Sequence, residues 1–82
     1  MKVPGGKLLR VILKYEGERI VSVKFAGDFF AYPEEAIESL EEKLAGVSVK
    51  QVRGIVESEL EGVRLYGVDA KSIVKGVWEA FG

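Results

Sequence analysis

Neither cysteine nor histidine occurs among the 82 residues. Without cysteine there is no disulfide, thiolate nucleophile or thiolate metal site, and without histidine the usual general base and the commonest metal ligand are missing. No metal site, no catalytic residue and no stand-alone catalysis are expected. Charge of one sign is also lacking: 12 Lys and Arg against 13 Asp and Glu leave a net charge of -1, without the cationic excess a phosphate-backbone binder carries. Nucleic acid is therefore not expected as a partner. No apolar run approaches the roughly 18 residues of a membrane span, and Met1 leads into KVPGGK rather than an apolar signal segment. The expected setting is cytoplasmic, with no membrane partner. At this length residues 1–82 form a single domain, near the size where only about 60% of the unfolded chain's surface is buried on folding.

What is present begins with alternation. From Lys7 to Tyr15, Leu9, Val11, Leu13 and Tyr15 share one face and Leu8, Arg10, Ile12 and Lys14 the other. Residues 20–26 repeat the pattern, with Val21, Val23 and Phe25 on the apolar face and Ile20, Ser22, Lys24 and Ala26 opposite. The two runs read as a hairpin. Matching their apolar faces sets Leu13 against Val21 and Val11 against Val23, leaving Glu16, Gly17 and Glu18 in the loop. Gly27 marks a bend or bulge, and Phe29 to Tyr32 reads as a short third strand carrying aromatics to both faces. Regular alternation turns Phe29 inward and Phe30 outward, whereas a bulge at Gly27 exchanges them.

Three helices are expected after the strands. Pro33 suits a first turn, Glu34 and Glu35 complement its positive end, and Ile37, Leu40 and Leu44 make an apolar stripe ending at Gly46. Ser48 and Gln51 have capping-box spacing, with Val49, Val52, Ile55, Val56 and Leu60 as the buried face of a second helix stopping near Gly62. VRLYGV reads as an extended connector. Asp69 then caps a last helix with Ile73, Val77, Trp78 and Phe81 inward. The fold class is α+β: a small three-stranded antiparallel sheet followed by about three helices packed on one face.

Few side chains carry chemistry. PGGK resembles a phosphate loop in composition, but such a loop follows a strand and opens a helix, whereas this one precedes a strand and reads as a turn. Glu34, Glu35, Glu38, Glu41 and Glu42 fall on the solvent side of an amphipathic helix. Asp28 beside Gly27 fits a turn or a contact site. If the helices cover the Val11, Leu13, Val21, Val23 and Phe25 face, Leu8, Ile12 and Ile20 lie on the other among Arg10, Lys14 and Lys24. That face is too apolar for solvent alone and too charged for core. Ile12, Ile20, Asp28, Phe29, Phe30 and Tyr32 are the candidate partner-binding residues. RNA binding through the aromatics would need a basic platform, which the charge balance does not supply.

KVPGGKLLRV at residues 2–11, GDFF at 27–30 and the following PEEAIESLEEKLAG resemble the C-terminal accessory domain of lipoate-protein ligases, as do the order of elements and the final GV-D-x-x-x-I-V-K segment. The resemblance spans essentially the whole chain. It implies the stand-alone small subunit of a two-subunit ligase. In that family lipoate is activated with ATP to lipoyl-adenylate and then transferred to a lysine of an acceptor protein. The accessory domain is needed for activation, while the larger domain binds the ligands. The implied partner is the catalytic subunit, in a heterodimer, with acceptor proteins engaged indirectly. No cofactor is implied on the chain alone; ATP, Mg and lipoate are expected in the complex. Lys2, Gly5, Gly6 and Lys7 are the positions implied to lie near the nucleotide or a partner carboxylate. The family's fold is similar to that of iron-sulfur scaffold proteins, whose chemistry requires cysteine, so no such function carries over. The alternative is a protein–protein adaptor unrelated to lipoylation.

Overall fold

The computed structural model describes residues 8–82. The chain runs β1 (Leu9–Glu16), β2 (Arg19–Gly27), β3 (Phe30–Tyr32), α1 (Ala36–Leu44), a 3-10 turn (Val49–Gln51), α2 (Val52–Glu59), β4 (Arg64–Tyr66) and α3 (Ala70–Phe81). The α+β class and three helices agree with expectation, but the sheet does not. The described strands form two separate two-stranded antiparallel sheets, β1–β2 and β3–β4, rather than one of three strands.

The hairpin turns more tightly than its apolar pattern implied. Glu16 pairs with Arg19, leaving the two residues Gly17 and Glu18 in the turn. Gly17 has φ +58, the sign a two-residue hairpin turn with glycine at its first central position requires. Tyr15 then faces Ile20 while Lys14 faces Ser22, so Val21 is an extra, bulged residue. Beyond the bulge the register is Leu13 with Val23, Val11 with Phe25 and Leu9 with Gly27. An inserted residue reverses the alternation on its strand. Ile20 therefore turns inward and is fully buried, whereas Val21 is 49% exposed, the reverse of the expected assignment.

Backbone pairing reinforces that reversal. The outer edge of β2 is met by the segment after α1: the Ile20 N–H donates to the Val47 carbonyl at 2.8 Å, and the Gly46 N–H donates to the Ile20 carbonyl at 2.7 Å. Farther along this edge, the Phe25 N–H donates to Glu41 Oε2 at 2.7 Å. Glu41 is thus half-buried and caps a strand edge instead of belonging to the solvated face of α1. A carboxylate at a strand edge satisfies an amide that another chain would otherwise pair with.

Helix capping follows the sequence closely. The Ser48 N–H donates to Gln51 Oε1 at 3.1 Å and the Lys50 N–H to Ser48 Oγ at 3.2 Å, although the box opens a 3-10 turn leading into α2. The Ser72 N–H donates to Asp69 Oδ1 at 2.7 Å at the start of α3. Pro33 to Glu35 form a turn ahead of α1 rather than its first turn, with the Ala36 N–H donating to the Pro33 carbonyl at 3.1 Å. Helix α1 packs beside β2, α3 beside β1, and α2 contacts both other helices. Leu9, Ile20, Val23 and Phe25 meet Leu40, Leu44, Val52, Val56, Ile73 and Val77 in one core. On α3 the buried residues are Ser72, Ile73, Gly76 and Val77. Trp78, expected inward, is 44% exposed, because the i, i+4 stripe continues through Gly76 instead and leaves the indole at its margin. It meets Phe81 edge-on at 5.9 Å.

Candidate partner-docking surfaces

Glycine decides where β3 begins. Gly27 has φ +143, and a Cβ there would overlap the Leu8 carbonyl. That carbonyl accepts the Asp28 N–H at 3.0 Å. The chain leaves the hairpin at this point and pairs with VRLYGV, expected as a connector. Gly67, at φ +85, lies so close beneath the bend that a Cβ would sit 2.5 Å from the Asp28 carbonyl oxygen. Each glycine permits a backbone approach that a side chain would block.

The β3–β4 register is Phe30 with Tyr66, Ala31 with Leu65 and Tyr32 with Arg64. Ala31 is buried and Leu65 half-buried, so the other two pairs face outward together. The Phe30 and Tyr66 rings stack at 4.7 Å with an interplanar angle of 19°. Phe30 is 64%, Tyr32 68% and Tyr66 45% exposed. With Pro33, Gly62 and Arg64 they bound an open depression of about 810 Å³. Phe29 points the other way, half-buried against the core, so Phe29 is the inward and Phe30 the outward residue even though the strand is interrupted by a bend at Asp28.

A second surface is the outer face of the hairpin. Its cross-strand pairs are Arg10 with Ala26, Ile12 with Lys24 and Lys14 with Ser22. All six residues are exposed, Ile12 at 56%. They comprise three cations and no acid, an asymmetry in a chain of net charge -1.

The candidates from sequence therefore divide. Ile12, Phe30 and Tyr32 lie on exposed surfaces, Asp28 is exposed at the bend between them, and Phe29 supports β3 from within. Ile20 is removed from the set because it is fully buried. Lys2, Gly5, Gly6 and Lys7 lie outside the described residues. Arg64 and Tyr66 escaped sequence reasoning. Their signal was the alternation of Val63 and Leu65 with Arg64 and Tyr66, too short to distinguish a three-residue strand from a connector.

Among the described residues, no three of His, Cys, Asp and Glu gather as metal ligands would. No helix there is long and apolar enough to cross a membrane. Asp69 is held below the usual carboxylate range, first by the Ser72 side chain and then by its backbone N–H, as expected for a helix cap rather than for acid–base chemistry.

No protein-family model matches the chain. It is 34% identical over 71 residues to lipoate-protein ligase A subunit 2 of Thermoplasma acidophilum, an alignment covering 85% of this chain and 76% of that protein. The fold superposes with a TM-score of 0.80 and 33% identity on a chain from the solved structure of a bipartite lipoate protein ligase and its E2 lipoyl domain from Thermoplasma acidophilum, covering 87% of this chain and 82% of that one. This similarity extends across most of both chains, in sequence and in fold, and it shows the family: the protein belongs to that of lipoate-protein ligase A subunit 2.

Proposed function

We propose that this chain is the accessory subunit of a two-subunit lipoate-protein ligase, acting in the cytoplasm with a catalytic subunit in the ATP-dependent activation of lipoate. Membership in a family of second subunits carries the reading. The sequence agrees with it, since a chain without Cys or His is poorly equipped to act alone. Activation joins the lipoate carboxylate to the α-phosphorus of ATP and releases pyrophosphate. The product is a mixed anhydride that water destroys. A docked subunit can favour this step without supplying a nucleophile, by holding the catalytic subunit closed and excluding water. ATP, Mg and lipoate would be bound in the complex, with transfer to an acceptor lysine following on the catalytic subunit.

The contact would involve Ile12 on the cationic hairpin face and the exposed Phe30 and Tyr32, with Asp28 at the bend and Phe29 bracing the aromatic segment from behind. Lys2, Gly5, Gly6 and Lys7 remain the proposed nucleotide- or partner-proximal positions. The deciding experiment measures lipoate-dependent pyrophosphate release and acceptor lipoylation. The chain alone should be inactive, and adding it to the catalytic subunit with Mg-ATP should restore adenylate formation. Full adenylation by the catalytic subunit alone would sink the proposal.

A further inference from the structure

The β3–β4 sheet presents an arrangement that strand counting did not reveal. A two-stranded sheet is marginal by itself, yet this one holds three large aromatics in solvent. Its support comes from below: Ala31 is buried, Leu65 packs against the core, and Gly67 abuts the Asp28 carbonyl. The platform is therefore fixed before any partner arrives, which lowers the entropy lost on binding. At roughly 200 Å² per ring, the observed exposures of Phe30, Tyr32 and Tyr66 amount to about 350 Å² of aromatic surface. That is less than half of the about 800 Å² each partner contributes to a standard interface. It is the size of an interface centre, where buried aromatic and arginine anchors concentrate the binding energy.

Arg64 identifies what the centre would meet. It lies across the strands from Tyr32 and makes no ion pair among the described residues. A guanidinium beside an apolar floor complements a carboxylate adjoining an apolar side chain, and its fork favours bidentate binding. A second copy docked two-fold on the same patch would bring two Arg64 side chains together without a counter-charge. Resting on the accessory-subunit reading, we infer that this depression receives a segment of the catalytic subunit presenting an apolar side chain flanked by a carboxylate, with Tyr66 and Arg64 as anchors alongside Phe30.

The test measures affinity of the intact chain for the catalytic subunit by calorimetry at low and high salt, with thermal melts on every variant. Tyr66→Ala should weaken binding by about 30-fold. Arg64→Glu should weaken it by at least about tenfold at low salt and less at high salt, as screening removes the repulsion, and Arg64→Lys should recover part of the loss. Trp78→Ala, which removes an aromatic exposed on α3, should leave affinity unchanged. If Tyr66→Ala does not fold, the Arg64 pair and Phe30→Ala carry the test. Wild-type binding with every platform variant within about threefold of it would overturn this inference while leaving the proposed function standing. Failure of the wild type to bind the catalytic subunit would overturn both. Self-association of the wild type, abolished by Tyr66→Ala, would assign the platform to a second copy and overturn the inference.

Discussion

Replacing Gly67 by alanine is expected to destabilise the protein far more than the same substitution at Gly46, although both glycines have positive φ, +85 and +90. An L-residue in that backbone region costs roughly 1–2 kcal/mol, and this applies equally at the two positions. Surroundings separate them. A Cβ at Gly46 meets nothing within 4 Å, whereas at Gly67 it meets the Asp28 carbonyl oxygen at 2.5 Å and Phe29 Cα at 3.3 Å. Those are backbone atoms, so relief requires shifting the bend that starts β3, a change comparable to overpacking at about 1–3 kcal/mol. Gly67→Ala should therefore lose about 2–5 kcal/mol and Gly46→Ala about 1–2 kcal/mol. For a domain of this size each kcal/mol corresponds to roughly 4–8 °C in Tm, so a 3 kcal/mol loss lowers the melt by about 12–24 °C. Urea melts with matched m-values would supply the free energies. Because the bend also sets the position of Phe30 against Tyr66, Gly67→Ala that remains folded in the cold should bind the catalytic subunit more weakly than Gly46→Ala does. Equal melts for the two variants would refute the tight contact between the GDFF and RLYG segments, and with it the account of how the platform is held.

Two further outcomes are expected. Ile12→Glu should leave the melt within about 1 kcal/mol of wild type, since Ile12 is exposed opposite Lys24 and an opposite-charge pair there is mildly favourable, yet it should weaken binding to the catalytic subunit; unchanged affinity would move the contact off the hairpin face. Asp69→Ala should cost about 1 kcal/mol at neutral pH through loss of the α3 cap. The Asp69 carboxyl is depressed in the folded state below its ordinary 3.8, so its stabilisation is complete above that ordinary value and is lost as pH falls through the folded one. Denaturant melts from pH 7 down to acid should accordingly show the wild-type and Asp69→Ala curves converging at the acid end; a constant gap would assign the effect to packing.

Local signals were legible in the sequence wherever a few neighbouring residues suffice to determine the structure. The Ser48–Gln51 and Asp69 caps, the apolar stripe of α1 and the hairpin itself all follow from short-range spacing, because the groups that satisfy one another lie within one turn or one strand pair. Alternation also offered the outward placement of Phe30, but only as one of two possibilities, because whether the chain bulged at Gly27 was not legible locally. The absence of Cys and His is likewise a property of the sequence alone, since no fold creates a missing side chain. Tertiary structure decided three other things. It turned Ile20 inward and Val21 outward, because the two-residue turn sets Ile20 opposite Tyr15, a bulge at Val21 returns Val23 and Phe25 to the inner face, and the segment after α1 claims the edge of β2. It drew Glu41 out of the solvated face to meet the Phe25 amide, and moved Trp78 to the margin of α3. Above all, it paired β3 with β4 across more than thirty residues, joining Phe30 and Tyr32 with Tyr66 and Arg64. A three-residue strand carries too little alternation to announce itself; it forms here because Gly27 and Gly67 permit the backbones to approach and the core beneath holds them together.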